Sequence, residues 1–301
     1  MEKELISIIT PTYNREKTLI RVYDSLCKQT YKCIEWIVVD DGSKDKTKDL
    51  ISSLINQKNQ PFPIKYVYQK NSGKHVAVNK GLEIAGGGYV GILDSDDALF
   101  DDALETLMGY WNAMTPREKK EFKSVTGRVA NAETGELIGP KNKVKLIDCS
   151  SLEARFVRKM GYEKWGLSRT EVMREFQSPN IEGLHFYPEN ITYDAIGRKY
   201  KERFVEDVVR KYYLNSSDSI IKNKKGRSKE NYYLWLHNIN DVFDYFLYNP
   251  KIFLKSFVGL ARDGILSGRS IPYIINQINT LPKRVLFVLF MPVGMLLAYK
   301  N

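Results

Sequence analysis

The sequence has 301 residues and a formal net charge of +10, from 46 basic and 36 acidic side chains. Apolar residues make up 43% and charged residues 27%, which excludes a disordered chain, a collagen-like chain and a small disulfide-stapled protein. The length allows one large domain or two modest ones. The three cysteines, Cys27, Cys33 and Cys149, follow no metal-ligand spacing and are typical of a reducing compartment.

The excess positive charge is concentrated in the C-terminal third of the chain. Residues 201–301 contain 16 basic and 8 acidic side chains, whereas residues 1–200 contain 30 and 28. Such a region indicates an anionic partner, either membrane phospholipid or nucleic acid. The charged start Met1–Glu4 predicts no signal peptide. We therefore expect the chain in the cytosol or on the cytosolic face of a membrane.

The first half of the sequence predicts alternating strands and helices. Short runs rich in β-branched residues predict strands at Leu5–Ile9, Ile34–Val39, Ile64–Gln69 and Tyr89–Leu93. Helical spacing of apolar residues predicts helices at Lys17–Gln29, Thr47–Asn56, His75–Ala85 and Asp102–Asn112. This order predicts an α/β fold with a mostly parallel sheet that is flanked by helices.

The second half of the sequence has a less regular pattern. Two pieces, Ser124–Ala130 and Lys143–Ile147, resemble strands. Helices are predicted at Ser151–Met160, Arg169–Phe176, Ile191–Lys201 and Asn231–Tyr248, with a basic loop at Lys222–Arg227.

The C-terminal segment Val285–Tyr299 has 15 residues and no charge, and it follows Lys283 and Arg284. A simple helical crossing of a bilayer takes about 20 apolar residues, so this run is too short to cross in that way. Its mixture of apolar, aromatic and nearby cationic residues is typical of a monotopic membrane anchor. The alternative is an ordinary pair of amphipathic helices that covers the core.

Three carboxylates occur within four residues after the fourth predicted strand, in Asp94-Ser95-Asp96-Asp97. These side chains repel one another unless a cation lies among them, and oxygen ligands favour a hard divalent ion such as Mg²⁺ or Mn²⁺. The alternative is an acidic loop or a helix N-cap. Ligands in open α/β sheets bind where strands end, which favours a site here.

Polar residues also follow the first two strands. Asp40 and Asp41 could accept a hydrogen bond from a base or a ribose, or could cap a turn. In the segment Pro11-Thr12-Tyr13, the tyrosine ring could stack on a base or pack in the core. Gly73 and Lys74 open a predicted helix, where backbone N–H groups and a cation favour an anionic ligand.

Four motifs together resemble the family 2 glycosyltransferases, which have the GT-A fold. They are Ile6–Arg15, the run Gln29-Thr30-Tyr31 before Glu35–Ser43, the segment Gly73-Lys74-His75 with Ala77 and Asn79, and Asp94–Asp97. The resemblance covers roughly residues 5–110. It implies an inverting transferase that uses a nucleotide-diphosphate sugar and a divalent metal, Mn²⁺ or Mg²⁺.

The resemblance also implies roles for individual residues. Those on the donor side are Pro11, Thr12, Tyr13, Asp40 and Asp41 at the nucleoside, Lys74 at the nucleotide or its phosphates, Asp94 and Ser95 at the ribose or sugar, and Asp96 with its neighbour Asp97 at the metal. We accordingly divide the chain into a GT-A catalytic domain at 1–220 and a helical, membrane-associating region at 221–301. The catalytic domain has a nucleotide-sugar half, about 1–112, and an acceptor half, about 113–220.

Inversion requires a general base for the acceptor hydroxyl. The segments Lys164–Val172 and Glu182–Glu189 resemble a bacterial subgroup in which a Pro-Glu before a helix stands near the acceptor. This implies Glu189 as the base, with Asp194 and Glu182 as alternatives. His185 could contact the acceptor and Trp165 could stack on a sugar, or both could be packing residues.

The sequence therefore predicts a hexosyltransferase on the inner face of the plasma membrane. Its expected partners are a nucleotide-diphosphate sugar (UDP-sugar before GDP- or dTDP-sugar), a glycan or lipid-linked acceptor and an anionic membrane surface. A catalytically silent sugar-nucleotide-binding module is the main alternative. A nucleic-acid-binding protein is disfavoured because no nucleic-acid motif occurs and the basic region is also apolar. A nucleotidyltransferase is disfavoured because the usual Gly-rich N-terminal loop is absent.

Overall fold

The computed structural model describes residues 4–141, 144–213 and 227–299. Tertiary contacts divide the chain into two compact units. The segments of the first unit are Met1–Ser151, Gly161–His185 and Ala195–Ser217, and those of the second are Leu152–Met160, Phe186–Asp194 and Asp218–Asn301. The predicted boundary at residue 220 and positions 222–226 of the predicted basic loop lie outside the described residues.

A central mixed sheet forms the first unit. Its strands are β1 (Ile6–Thr12), β2 (Ile34–Asp40), β3 (Ile64–Tyr68), β4 (Tyr89–Ile92), β5 (Ala98–Leu99), β6 (Phe122–Asn131), β7 (Leu146–Cys149), β8 (Lys164–Arg169) and β9 (Lys201–Tyr212). Their order is β3-β2-β1-β4-β8-β6-β9-β5, and β7 pairs with β9. Strands β1 to β4 pair in parallel, as do β6 and β9, whereas the other pairings are antiparallel.

Helices flank this sheet, which confirms the predicted α/β fold. They are α1 (Leu19–Cys27), α2 (Thr47–Ile55), α3 (Lys74–Ile84), α4 (Ala103–Ala113), α5 (Pro116–Glu121) and α6 (Thr170–Glu175). Strands β1 and β2 are buried along their whole length, and Trp36 and Trp111 are among the largest fully buried side chains. Burial on both faces explains why apolar residues predominate in these two strands.

Helix α7 (Glu189–Gly197) begins in the second unit. The later helices of that unit are α8 (Ser228–Asn240), α9 (Pro250–Leu266), α10 (Ile271–Gln277) and α11 (Leu281–Tyr299). Tyr232, Phe257, Ile274 and Phe287 belong to their shared core. The predicted helical C-terminal region is therefore present.

Two strands were missed, and two predicted helices differ from the structure. Strands β8 and β9 were not predicted, because β9 is rich in charged residues whose partners lie far along the chain: Lys123 pairs with Glu202 and Asp148 with Arg203. The helix predicted at Ser151–Met160 is a π-helical turn at Glu153–Val157. The helix predicted at Asn231–Tyr248 ends at Asn240 and is followed by a 3₁₀ turn at Phe243–Tyr248.

Helix α11 packs one face on α9. The rings of Phe257 and Phe290 stack with centroids 6.1 Å apart, and a Cβ on Gly294 would lie 2.5 Å from the Val258 carbonyl oxygen. The helix has 19 residues because it includes four positions, 281–284, before the uncharged run. Within the described residues, α11 is the one helix whose length and composition would allow it to cross a membrane.

Candidate functional site

The predicted site residues of the first unit lie at one edge of its sheet. Strands β1, β2 and β4 are parallel neighbours, with Thr12 beside Asp40 and Ile9 beside Ile92. Their carboxyl ends consequently open on the same side. The parallel order therefore brings together three polar clusters, the first and last of which are more than 80 residues apart in the sequence.

Asp40 organises the turn after β2. Its carboxylate accepts a hydrogen bond from the Ser43 backbone N–H at 2.8 Å and one from the Tyr66 hydroxyl at 2.7 Å. Burial raises the pKa of Tyr66, and the hydrogen bond to Asp40 raises that pKa further. Asp40 is buried, so its two oxygens are used to fix the end of the strand.

Asp41 holds the loop that leads into α3. Its carboxylate accepts hydrogen bonds from the Gln69 side-chain amide and from the backbone N–H groups of Ser72 and Gly73, at 2.7–2.8 Å. Gly73 has a φ of 101°, and a Cβ at this position would lie 2.2 Å from the His185 carbonyl oxygen. Both constraints require glycine here. The loop in turn fixes Lys74 as the first residue of α3.

Lys74 pairs with the acidic cluster across the edge. Its Nζ lies 2.6 Å from Asp94 Oδ1, and the Arg210 guanidinium lies 3.8 Å from Asp94 Oδ2. Burial opposes ionisation of Asp94, but Lys74 and Arg210 keep the pKa of this carboxyl below its usual value. Asp94 is therefore an anion that is held between two cations.

Asp96 and Asp97 differ although they are adjacent. Asp97 is 1% exposed, and burial raises its pKa to about 7, against the opposing effect of Arg210. Asp96 is half-buried, and none of the described residues gives its carboxylate a hydrogen bond or an ion pair. The two carboxylates predicted at the metal thus have different surroundings.

The residues at this edge fit a hard divalent cation as part of a larger ligand set. No group of three or more histidine, cysteine or acidic side chains in the described ranges could hold a metal alone. The unpaired Asp96 carboxylate provides an oxygen ligand of the type that Mg²⁺ and Mn²⁺ prefer. Mg²⁺ commonly takes one or two protein carboxylates, with substrate phosphates and water completing its coordination.

The side chains at the end of β1 differ in exposure. Tyr13 is 43% exposed, whereas Pro11 and Thr12 are buried. The Thr12 hydroxyl oxygen has no hydrogen-bond partner in the described part of the chain. An exposed ring beside a polar edge can stack on a planar ligand. Ser95, the remaining residue predicted on the donor side, is buried.

Two further residues, Trp165 and Arg210, contact β4 or the acidic cluster that follows it. Trp165 on β8 donates a hydrogen bond from Nε1 to the Ile92 carbonyl oxygen at 2.7 Å, and its ring lies against Gly91. It is buried and is a packing residue under β4. Arg210 on β9 was not predicted, because the strand that carries it was not predicted. The sequence shows an arginine at position 210 but does not predict that it pairs with Asp94 and Asp97.

The candidate acceptor residues lie partly in the second unit. Glu189 is exposed in the first turn of α7, while Asp194 on the same helix is 2% exposed. Asp194 is ion-paired with Arg155, and it lies 3.1 Å from Nε2 of His237. Burial opposes protonation of His237, but Asp194 and Asp241 raise the pKa of its imidazole. Glu182 and His185, in the first unit, are exposed.

Comparison with known proteins identifies a matching family. Residues 7–116 match the model described as Glycosyl transferase family 2. Glycosyltransferase GlyG of Streptococcus pneumoniae is 39% identical over 105 residues, which are 35% of this chain and 34% of that protein. The uncharacterized glycosyltransferase YibD of Escherichia coli is 27% identical over 235 residues, which are 75% of this chain and 66% of that protein. The chain thus spans from about one third to two thirds of these relatives.

A third relative has a more specific name. The GalNAc(5)-diNAcBac-PP-undecaprenol beta-1,3-glucosyltransferase of Campylobacter jejuni is 39% identical over 105 residues, which are 34% of this chain and 33% of that protein. These relatives support the motif-based resemblance over the N-terminal part of the chain.

Solved structures extend the likeness over almost the whole chain. Staphylococcus aureus TarS 1–349 in complex with UDP-GlcNAc has a TM-score of 0.61 at 17% identity and covers 96% of this chain and 80% of that chain. The mannosyltransferase PcManGT of Pyrobaculum calidifontis, in complex with GDP-Man and Mn²⁺, has a TM-score of 0.53 at 16% identity and covers 98% and 86%. At these identities the likeness shows the fold alone, and it confirms the predicted GT-A type.

Proposed function

The chain belongs to glycosyl transferase family 2 through its domain at residues 7–116, and from this premise we propose that it is an inverting, metal-dependent hexosyltransferase. It transfers a sugar from a UDP-sugar to a hydroxyl of a lipid-linked glycan, in the synthesis of a surface polysaccharide. The observation that carries the proposal is the convergence of Tyr13, Lys74 and the cluster Asp94–Asp97 at one sheet edge.

On the donor side, Tyr13 stacks on the base and Asp41 keeps the loop before α3 in place. Lys74 contacts the diphosphate, because its ammonium group already lies at the edge in contact with a carboxylate. Asp94 is then available to a ribose or sugar hydroxyl. The TarS neighbour, whose structure contains UDP-GlcNAc, supports a UDP-sugar as donor.

Asp96 is the protein ligand for a divalent cation, Mn²⁺ or Mg²⁺, because its carboxylate is the one at the edge with no partner among the described side chains. When bound, the cation offsets negative charge on the leaving diphosphate. The mannosyltransferase neighbour, whose structure contains Mn²⁺, supports this proposal. The sequence predicted both Asp96 and Asp97 at the metal. Asp97 is buried next to Arg210, and this favours Asp96 as the metal ligand.

Glu189 is the general base. It takes the proton of the acceptor hydroxyl, the acceptor oxygen bonds to the anomeric carbon, and the bond from that carbon to the diphosphate oxygen breaks with release of the nucleoside diphosphate. Attack from the face opposite the leaving group inverts the anomeric centre. Asp194 is the weaker alternative, because Arg155 and His237 already engage its carboxylate. Glu182 stays an alternative on the basis of its exposure.

The donor site is tested by calorimetric titration of UDP in the presence and absence of Mn²⁺, followed by turnover with a panel of UDP-sugars. We expect Asp96→Ala to lose the Mn²⁺-dependent part of UDP binding, and Asp101→Ala, an exposed neighbour, to retain it. Failure of the wild-type protein to bind UDP or a related nucleotide would refute the proposal that it is a glycosyltransferase. Binding without any sugar transfer would instead favour a silent sugar-nucleotide-binding module.

Helix α11 is the proposed contact with an anionic membrane at the cytoplasmic face. Its outer side presents Val285, Leu289, Val293 and Leu296, each at least half exposed, while the opposite side packs on α9. Lys251 and Lys255 lie exposed on α9. An apolar stripe with flanking cations is the pattern of a helix that lies in the interface. A crossing is disfavoured because α9, which packs along α11, carries Arg262 and the buried Asp263.

The membrane contact is tested by cosedimentation with phosphatidylglycerol vesicles and with phosphatidylcholine vesicles. Leu289→Glu with Val293→Glu changes exposed side chains, so the fold is expected to persist while vesicle binding falls. Val144→Glu, an equally exposed valine in the first unit, is the matched control. Equal vesicle binding by the double variant and the wild type would refute this role of α11.

A further inference from the structure

Strand β9 carries an arginine directly beneath the acidic cluster. Arg210 pairs with Leu99 of β5, and β5 begins one residue after Asp97. The side chain of Arg210 is 5% exposed. A guanidinium this deeply buried requires nearby anions, because an isolated charge is costly to remove from water.

The guanidinium meets carboxylates from two segments. Its Nη1 lies 3.5 Å from Asp97 Oδ2 and 3.8 Å from Asp94 Oδ2, while its Nη2 donates to Glu163 Oε2 at 3.0 Å. Asp97 receives one further, long contact, from the Tyr213 backbone N–H at 3.4 Å. Arg210 is therefore the main source of positive charge for a carboxylate that is almost fully buried.

The contact between Arg210 and Asp97 is close but incomplete. Arg210 Nε and Asp97 Oδ2 both lack a hydrogen bond within residues 4–141, 144–213 and 227–299. An ion pair at 3.5 Å is longer than a charge-assisted hydrogen bond of about 2.7–2.9 Å. The pair consequently has donor and acceptor capacity that is still unused.

We infer that Arg210 is a positioning residue that fixes the loop Asp94–Asp97 through an ion pair with Asp97, so that Asp96 alone of the two adjacent carboxylates faces the metal. This assignment rests on the proposed function and deepens it. Asp97 holds the loop in place through Arg210, and Asp96 binds the metal. The difference in burial between the two carboxylates, and the presence of Arg210 beside only one of them, carries this division.

The test compares Arg210→Gln, Arg210→Lys, Asp97→Asn and the double variant Arg210→Gln/Asp97→Asn by titration of Mn²⁺ in the presence of UDP. Loss of a residue that orients metal ligands typically weakens metal affinity by about 10- to 100-fold, which is the effect expected for Arg210→Gln. Arg210→Lys should restore part of the affinity. The double variant should bind at least as well as Arg210→Gln, because it no longer contains an unpaired buried carboxylate.

A second ion pair on the same strand is the matched control. Arg203 contacts Asp148 through two hydrogen bonds of 2.9 and 2.8 Å, away from the acidic cluster in the strand pairing. Arg203→Gln and Arg203→Gln/Asp148→Asn should leave Mn²⁺ affinity unchanged. Thermal unfolding of every variant, without metal or UDP, separates loss of binding from loss of fold.

Two outcomes would overturn the inference. One is wild-type Mn²⁺ affinity in a folded Arg210→Gln variant. The other is additive losses in the double variant, with Asp97→Asn alone as damaging as Asp96→Ala, because Asp97 would then be a metal ligand itself. If the wild-type protein binds neither UDP nor Mn²⁺, the proposed function fails instead, so the two failures are distinguishable.

Discussion

The two units of the molecule each contain an arginine that is ion-paired with a buried aspartate, but the two clusters are paired to different degrees. In the second unit, Asp194 contacts both Arg155 and His237, at 2.5 and 3.1 Å. At the sheet edge of the first unit, the distances from Arg210 to Asp97 and Asp94 are 3.5 and 3.8 Å. A saturated network stabilises a fold, whereas an incompletely paired one retains capacity for a ligand.

The same comparison separates two aspartates that the sequence could not rank. Asp96 was predicted at the metal and Asp194 was an alternative base. The described surroundings give Asp96 no partner, whereas Asp194 has two, Arg155 and His237. The difference indicates a ligand-facing role for Asp96 and a structural one for Asp194. Four predictions test this contrast.

The largest effect is expected in the saturated network. Asp194→Ala leaves Arg155 and His237 without their shared anion, and breaking such a buried pair typically costs about 3–5 kcal/mol of unfolding free energy. Urea denaturation measures this loss. Asp241→Ala removes a 62% exposed carboxylate and should cost about 1 kcal/mol or less. A fully stable Asp194→Ala variant that loses turnover would make Asp194 catalytic and break the contrast.

The next effect is expected at the sheet edge. Gly73→Ala combines a strained φ of 101° with a Cβ 2.2 Å from the His185 carbonyl oxygen, and we expect a cost of about 1–3 kcal/mol together with weaker UDP binding. Gly135→Ala is the control, since Gly135 also has a positive φ but no atom within 4 Å of its Cβ. Equal effects of the two substitutions would show that backbone strain, not the contact with His185, matters.

A smaller effect depends on pH. The folded-state pKa of His237 is raised above 6.5, so its protonation stabilises the fold. That stabilisation is complete below the unfolded-state pKa and is lost as the pH rises through the folded-state pKa. The stability difference between wild type and His237→Gln, on the order of 1 kcal/mol, should therefore be larger at about pH 6 than at about pH 9. An equal stability difference at the two pH values would contradict this prediction.

The smallest effect at the sheet edge is expected where Trp165 packs against β4. Trp165→Phe removes the hydrogen bond to the Ile92 carbonyl oxygen and should cost about 1 kcal/mol, with a modest loss of UDP affinity. Trp235→Phe in the second unit removes a hydrogen bond to the Asp263 carboxylate. Its cost should be about 1.5–3 kcal/mol because the acceptor is charged, and its UDP affinity should not change. A change in UDP affinity for Trp235→Phe alone would contradict the assignment of binding to the first unit.

Strands β1 to β4 and helices α1 to α4 could be predicted because their apolar residues follow a clear local period. Strand β9 could not, because its charged residues are stabilised by Lys123 and Asp148, which are 50 or more positions away. The site followed the same pattern. Lys74 and Asp94 were found from local motifs, whereas Arg210 became visible only through the strand pairing.

The roles of Asp40 and Asp41 depend on tertiary contacts that local motifs do not contain. Asp40 and Asp41 have the composition of a ligand-binding pair, but their oxygens are largely used by Tyr66 and by the backbone of the Asn71–Gly73 loop. The stop of α8 at Asn240 was missed because no proline or glycine marks it. These are tertiary effects, and a single sequence contains little signal for them.

Helix α11 is an integral part of its unit and not a detachable tag. Phe287 on its inner side is fully buried with Phe257, and Gly294 permits close approach to the α9 backbone. Truncation at residue 280 would therefore expose the core that these residues share, and lost vesicle binding in such a fragment would report unfolding. The inner side of α11 covers the core of its unit, and its outer side presents the apolar stripe proposed to contact the membrane. Substitution of exposed residues can therefore test membrane contact without loss of the core, whereas deletion of the helix cannot.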